Sequence, residues 1–163
     1  MRQVLAGAKD AGSGHLHPPR LCEDLDQKAR SAWIDRHYRY PRRMPSLEVE
    51  GLTLSAADAG SPRVVVLTGK LDAKTQLAAE RFLEGLVAEG ASRVVLDCSG
   101  LEFLSSAGVR ALLVLVKRVK PLGGAVSVSA ARPHVRQLLE FSGLKALLSI
   151  SNSVEDGCLA LTP

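Results

Sequence analysis

The sequence predicts an α/β fold built on a mixed β-sheet, mostly parallel with an antiparallel edge strand, together with about four helices. From residue 46 onward, short valine-rich apolar runs alternate with longer segments whose apolar residues recur at helical spacing. This alternation favours parallel strands joined by right-handed crossovers. The first two predicted strands have no helix between them, which indicates one antiparallel hairpin. With 163 residues, 46% of them hydrophobic, the chain can bury one core.

Residues 1–45 differ in composition from the rest of the chain. They hold nine lysines and arginines against five aspartates and glutamates, whereas residues 46–163 hold twelve of each, so the net charge of +4 belongs to the leading segment. We expect a basic, flexible extension over residues 1–45 and one domain over residues 46–163. The balanced charge of the domain gives no support to direct nucleic-acid binding.

Three hypotheses describe the leading segment. Its glycines and prolines favour a disordered tail with one short amphipathic helix through Leu25, Ala29, Ala32 and Trp33. Because the single tryptophan and both tyrosines lie here, a docking arm for an acidic protein, a membrane or a nucleic acid is the second hypothesis. A translation start at Met44, immediately before the domain, is the third.

The domain begins with a predicted hairpin. Residues 47–54 alternate imperfectly between apolar and polar side chains, which is typical of an edge strand with one face exposed to solvent. Asp58 to Pro62 supplies the turn. The consecutive apolar residues Val64 to Leu67 then predict a strand over Arg63 to Thr68 that is buried on both faces.

A helix follows the hairpin. Gly69 is expected to turn the chain sharply, and Asp72 to cap a helix running from about Ala73 to Glu89. Gly90 stops that helix. Its predicted apolar face comprises Leu77, Ala79, Phe82, Leu83, Leu86 and Val87.

The next stretch contains the candidate functional residues, between a predicted strand and a predicted helix. Val94 to Leu96 predict a buried strand. Three turn-forming residues are expected to end it: Asp97, Ser99 and Gly100. Ser105 and Ser106 then head a helix to about Lys120, because their hydroxyls can accept hydrogen bonds from amides of its first turn. Since a helix start carries about half a positive charge, a serine there is suited to carry a phosphate.

Two further strands and two further helices complete the prediction. Alternating valine and serine predict a strand at Ala125 to Ala130, and Pro133 starts a helix that Gly143 closes. A short strand at Leu147 to Ile150 precedes a weak final helix headed by Ser153. The helix after Pro133 is expected to turn four apolar side chains inward: Val135, Leu138, Leu139 and Phe141.

The sequence lacks the motifs of enzymes, metal sites and membrane spans. It has no phosphate-binding loop, nucleophile elbow, zincin or dinucleotide motif. A triad of Ser106, His134 and Asp97 is disfavoured because His134 is far from Ser106 in sequence. The three widely spaced cysteines suit a reducing cytoplasm rather than a disulfide framework or a zinc site, and no window approaches about 18 uninterrupted apolar residues. We therefore expect a cytoplasmic protein with no cofactor and no metal.

The string Val-Val-Leu-Asp-Cys-Ser-Gly-Leu-Glu-Phe-Leu-Ser-Ser-Ala-Gly-Val-Arg-Ala-Leu-Leu, residues 94–113, resembles the signature of the STAS domain of bacterial anti-sigma factor antagonists. The likeness covers about residues 46–163. It includes the Gly-x-Leu-Asp turn at Gly69 to Asp72, the Asp-x-Ser-Gly turn at Asp97 to Gly100, and the order of elements. A STAS-like sheet is therefore the expected architecture.

The resemblance implies a regulatory module and not an enzyme. Unphosphorylated, such a module binds an anti-sigma factor, usually itself a serine kinase, and so frees the sigma factor. Phosphorylation ends binding, and a metal-dependent phosphatase restores it. The acceptor serine of the family lies two residues before the glycine, which is Ser106 here. The preceding position is often Asp in the family and is Ser105 in this chain, so Ser105 is a competing acceptor.

Partner contact is expected at six residues: Asp72, Asp97, Ser99, Ser105, Ser106 and Gly108. Their sequence context also gives simpler roles, namely a helix cap for Asp72, a turn former for Asp97 and close packing for Gly108. Two alternatives stay open. One is a STAS regulatory subunit of a membrane transporter for lipids or anions, with Ser106 as a contact. The other is a sensor of a small ligand or nucleotide that uses the same helix start as an anion-binding site.

Overall fold

A computed structural model describes residues 45–56 and 61–162. Its strands are β1 (Ser46–Val49), β2 (Leu52–Ala56), β3 (Arg63–Leu71), β4 (Arg93–Leu104), β5 (Ala125–Ser129) and β6 (Ser149–Ser151). Its α-helices are α1 (Gln76–Ala88), α2 (Ser106–Val119), α3 (Pro133–Phe141) and α4 (Val154–Ala160), and two short 3-10 turns span Lys120–Leu122 and Leu144–Ala146. The hypotheses on residues 1–44 and most of the predicted 58–62 turn lie outside the described residues.

The strands form one sheet in the order β1-β2-β3-β4-β5-β6. The β1–β2 and β2–β3 pairs are antiparallel, and the three remaining pairs are parallel. This confirms the predicted mixed, mostly parallel sheet with an antiparallel edge. Because β3 to β6 run in one direction, they begin together at what we call the amino end of the sheet and finish at its opposite, carboxyl end.

The core lies mainly on one face of the sheet, under α1 and α2. Along α2, buried residues recur at helical spacing: Gly108, Ala111, Leu112, Leu115, Val116 and Val119. On β3 and β4, Val65, Val94 and Leu96 belong to this main cluster, whereas the alternate residues Val64 and Val95 form a smaller one with α4. The sheet is therefore covered on both faces at its parallel half.

The predicted first strand is two strands in the structure. Residues Glu50 and Gly51 have φ values of 44° and 85°, which turn the chain back and separate β1 from β2. Gly69 does not leave the sheet, so the prediction of a sharp turn there is wrong. It lies within β3, close to the carbonyl of Gly51, and the amide of Lys70 donates to that carbonyl at 3.1 Å.

The prediction that a strand ends at Asp97 is also wrong. β4 continues through Asp97, Ser99 and Gly100 to Leu104, and its register against β3 shifts between Asp97 and Gly100. The Asp97 carboxylate accepts a hydrogen bond from the Ser99 amide at 3.0 Å. The turn-forming residues therefore make a bulge within the strand, and the chain does not leave the sheet there.

Two side chains predicted to face inward are exposed. Leu77 is 55% exposed and Phe141 is 81% exposed. Each lies two residues from a buried position of its helix, Ala79 and Leu139 respectively. Two residues rotate a helix by about 200°, which places both side chains on the outer side. The last predicted strand also begins later than expected, at Ser149, because the 3-10 turn Leu144–Ala146 precedes it.

Candidate functional site

The candidate site is the junction between β4 and α2, at the carboxyl end of the sheet. Ser105 is the N-cap of α2, has extended backbone, and accepts a hydrogen bond from the amide of Gly108 through its Oγ at 3.3 Å. Ser106 is the first helical residue and is exposed. The two serines therefore differ: the Ser105 hydroxyl is half-buried and caps the helix, whereas the Ser106 side chain faces solvent.

Backbone contacts fix this junction against the end of β3. The amide of Ser105 donates to the carbonyl of Leu71 at 3.0 Å. Gly108 lies so close that a Cβ atom there would be 2.5 Å from the Leu71 carbonyl oxygen and 2.6 Å from Leu104 Cδ1. The absence of a side chain at Gly108 is thus what lets the first turn of α2 rest on β3.

Asp72 follows Leu71 directly and begins the turn that leads into α1. Its Oδ1 accepts hydrogen bonds from the amides of Lys74 at 2.9 Å and Thr75 at 3.3 Å. The buried Thr75 hydroxyl donates to the carbonyl of Lys70 and accepts from the amide of Asp72, both at 3.0 Å. Asp72 therefore caps this turn, and α1 starts at Gln76 instead of the predicted Ala73.

The bulge that follows Asp97 contains a buried thiol, Cys98, and an exposed hydroxyl, Ser99. Asp97 is half-buried and Ser99 is exposed. Cys98 between them is buried, and burial, with a smaller effect of the Asp97 charge, raises the pKa of its thiol to about 12. Cys98 is consequently a neutral core side chain at physiological pH and not a nucleophile. The Ser99 carbonyl accepts a hydrogen bond from Arg132 Nε at 3.4 Å.

Sequence reasoning missed an aromatic side chain beside the serines. Phe103 is 47% exposed and stands opposite Lys70 in the β3–β4 register. The neighbouring Glu102 carbonyl lies 2.7 Å from His134 Nε2, so the start of α3 is held against this part of β4. No local signal indicated this exposure, because Phe103 lies two residues after the buried Leu101 and strand alternation would place both on one face.

The structure thus brings Asp72, Ser105 and Gly108 together around the end of β3, with Ser106 exposed beside them. Asp97 and Ser99 lie further back along β4. The hydrogen bonds of His134 and Asp97 run to Glu102 and Ser99, so the two do not form a triad with Ser106. Electrostatically, the first turn of α2 contains no acidic residue, which leaves its positive end available to an anion.

None of the helices within residues 45–56 and 61–162 is long and apolar enough to cross a bilayer.

Comparison with known proteins gives consistent results in sequence and in structure. A family model described as the STAS domain matches residues 54–157. A putative anti-sigma factor antagonist, BtrV of Bordetella bronchiseptica, is 32% identical over 97 residues, which are 60% of this chain and 84% of that protein. The anti-sigma-F factor antagonist RsfB of Mycobacterium tuberculosis is 29% identical over 109 residues, 66% of this chain and 87% of the relative.

Among solved structures, an anti-sigma factor antagonist from Mycobacterium paratuberculosis superposes with a TM-score of 0.57 and 23% identity. The match covers 74% of this chain and 94% of that one. At this identity the likeness concerns the fold, and it confirms the predicted STAS-like architecture.

Proposed function

This chain belongs to the STAS domain family, and on that premise we propose that it is an anti-sigma factor antagonist switched by phosphorylation of Ser106. Unphosphorylated, it binds an anti-sigma factor that is itself a serine kinase, and this binding frees the sigma factor. The kinase transfers the γ-phosphoryl group of ATP to the Ser106 hydroxyl, and a metal-dependent phosphatase removes it. The chain acts as a regulator in the cytoplasm and not as an enzyme.

The exposure of Ser106 is the observation that carries the proposal. An incoming kinase can reach its Oγ, whereas the Ser105 Oγ is half-buried and accepts the Gly108 amide. Phosphorylating Ser105 would remove a helix cap, which typically stabilises a helix by about 1 kcal/mol. These facts favour Ser106 over Ser105 as the acceptor.

The switch follows from charge at one exposed point. A phosphoserine adds roughly −1.5 to −2 charges, and the start of α2 compensates by about 0.3–1 kcal/mol, so the fold need not change. At an interface that fits a neutral hydroxyl, burying the dianion is far more costly. A cost of about 4 kcal/mol would weaken binding roughly a thousandfold.

The proposed contact surface surrounds Ser106 at the carboxyl end of the sheet. Phe103 is its apolar centre, because a half-exposed aromatic side chain is the type that dominates protein interfaces. Gly108 takes part indirectly by placing the first turn of α2. The polar contacts come from the side chains or backbone of Asp72, Asp97, Ser99 and Ser105.

Phosphate mapping tests the proposal. The purified chain is incubated with ATP and candidate serine-kinase anti-sigma factors of the same organism, and the modified residue is located by mass spectrometry. We expect phosphate on Ser106 and none on the Ser106→Ala variant, and we expect the phosphorylated chain to release its partner.

Binding measurements complete the test. Ser106→Ala should bind the anti-sigma factor, and adding ATP should not release it. Ser106→Asp should bind weakly while keeping the fold. The matched control is Ser46→Asp, which alters an exposed serine at the amino end of the sheet. Equal affinities for the wild type and both Ser106 variants would contradict the switch, and co-purification with a permease instead of a kinase would support the transporter-subunit alternative.

A further inference from the structure

Exposed apolar side chains gather at the amino end of the sheet, opposite Ser106. Leu122 is 57% exposed in the turn after α2, Phe141 is 81% exposed at the last residue of α3, and Leu147 is 39% exposed after the second 3-10 turn. They are three of the five large hydrophobic side chains exposed among the described residues; Leu77 and Phe103 are the others.

One open groove lies beside the second 3-10 turn. Its volume is about 340 Å³, and its walls are the starts of β5 and β6 with the chain that leads into β6. The turns share the pattern Lys-x-Leu, as Lys120–Leu122 and as Lys145 to Leu147. The two turns, with the residue that follows the second, therefore place two lysines and two leucines at the amino end of the sheet, and Leu147 lines the groove.

Among the described residues, the unpaired charge at this end is positive. Lys117, Lys120 and Lys145 are exposed, and within residues 45–56 and 61–162 no ion pair involves them. The acidic residues that lie on the adjoining helix ends are ion-paired with arginines: Glu84 with Arg118 at 2.9 Å, Glu89 with Arg63 at 2.9 Å, and Glu140 with Arg136 at 3.4 Å. The lysine charges are thus left for an external anion.

The basic leading segment joins the domain at this same end. β1 is antiparallel to β2, which is antiparallel to β3, so β1 begins where β3 begins. The carbonyl of Pro45 accepts a hydrogen bond from the amide of Ala56, at the β2–β3 connection. Residues 1–45 have a net charge of +4 and contain the single tryptophan and both tyrosines of the chain.

We propose that the amino end of the sheet is a peripheral membrane-binding surface for anionic lipids. Lysines attract the headgroups, and exposed leucine and phenylalanine side chains enter the interface between headgroups and acyl chains. A second copy of the domain would oppose lysine to lysine, and the chain's own leading segment is basic as well. The phosphate backbone of a nucleic acid would pair with the lysines but provides no apolar surface for the exposed leucine and phenylalanine side chains. A bilayer surface satisfies both features.

This surface lies at the opposite end of the strands from Ser106. A chain bound in this way keeps Phe103 and Ser106 directed away from the bilayer, so the membrane and an anti-sigma factor do not compete for one site. The inference is therefore independent of the proposed phosphorylation switch.

Vesicle co-sedimentation of the full chain tests the inference. The vesicles are phosphatidylcholine alone or phosphatidylcholine with roughly one quarter phosphatidylglycerol, a mixture that carries a negative surface potential. We expect binding only to the anionic vesicles. Lys120→Gln with Lys145→Gln should lower the partition coefficient by about fivefold per lysine. Leu122→Ser with Phe141→Ser should also lower it, since both side chains are exposed and their replacement spares the core.

Matched controls use residues away from the amino end. Leu77→Ser changes an equally exposed leucine on the first turn of α1, and Lys74→Gln changes an exposed lysine near Asp72. Both should bind anionic vesicles like the wild type. Three results would each overturn the inference: absence of binding, equal binding to neutral vesicles, or binding that the amino-end variants leave unchanged. Absence of binding would favour an acidic protein as the partner of this surface. Binding that the variants leave unchanged would assign lipid binding to the leading segment alone.

Discussion

Ser105 and Leu71 are joined through their backbones, with the amide of Ser105 donating to the carbonyl of Leu71 at 3.0 Å. The bond ties the start of α2 to the last residue of β3, immediately before Asp72. The position of the Ser106 hydroxyl is thus set by the backbone of two neighbouring strands and not by a mobile loop. Changes that separate α2 from β3 should act on both stability and partner binding.

Gly108→Ala is expected to lower the free energy of unfolding by about 1–3 kcal/mol, because its Cβ would press into the Leu71 carbonyl and the Leu104 side chain. Backbone and packed leucine cannot move aside easily, so α2 must shift. Urea unfolding measures the loss, and the displaced Ser106 should also weaken anti-sigma factor binding.

Gly85→Ala is the matched control. Gly85 lies inside α1, and a Cβ there would meet nothing within 4 Å. Replacing glycine by alanine in an open helical position stabilises by about 0.5–1 kcal/mol. Opposite signs for the two substitutions are therefore expected, and a Gly108→Ala variant as stable as the wild type would show that the contact with β3 is loose.

Ser105→Ala should cost about 1 kcal/mol of stability while leaving phosphorylation at Ser106 intact, because it removes the hydrogen bond from the Gly108 amide. Ser153→Ala removes the equivalent cap of α4, where the Ser153 hydroxyl accepts from the Asp156 amide at 3.1 Å. Both variants should unfold at similar lower urea concentrations, and only Ser105→Ala should affect partner binding. Loss of the phosphate signal in Ser105→Ala would identify Ser105 as the acceptor.

The sequence was sufficient to predict the parallel half of the sheet and the serine-headed helix, since both depend on local patterns. Consecutive valines indicate buried strands, and the hydroxyl of Ser105 caps α2 through an amide only three residues away. These interactions need no knowledge of the rest of the chain.

Long-range contacts decided the features that were predicted wrongly. Gly69 has the composition of a turn, yet pairing with Leu52 of β2 and Leu101 of β4 holds it in the sheet. The residues from Asp97 to Gly100 bulge without leaving β4 because β3 continues alongside. The exposure of Phe103 likewise depends on which side of the strand extension α2 covers, and this is not encoded in the local alternation.

Cys98 and Cys158 should make the protein less stable at alkaline pH. Burial above all raises the pKa of each thiol from 9.0 to about 12, with smaller effects of Asp97 and Glu155 respectively. Below pH 9 the thiols are protonated in both folded and unfolded chains, so they add no pH dependence. Between pH 9 and 12 only the unfolded chain loses these protons, and the free energy of unfolding falls.

Urea unfolding at pH 8 and pH 10 measures this effect, which should be on the order of 1 kcal/mol per thiol at pH 10. Cys98→Ala supplies the control. It should lower stability at both pH values, because it leaves a small cavity, but reduce the drop between them. An unchanged drop would mean that Cys98 is accessible to hydroxide in the folded chain.

Asp72 allows its capping role to be separated from its proposed role in partner binding. Asp72→Ala removes the acceptor of the Lys74 and Thr75 amides and should cost about 1 kcal/mol of stability. Asp72→Asn keeps an oxygen in the same place, so its stability should stay within about 0.5 kcal/mol of the wild type. Both variants lack the negative charge, and for a charged contact with the anti-sigma factor each should bind about tenfold more weakly. Calorimetric titration of the two variants with the anti-sigma factor distinguishes these roles. If Asp72→Asn binds like the wild type while Asp72→Ala binds weakly, the carboxylate serves only to shape the turn. The partner then contacts the backbone that Asp72 holds in place.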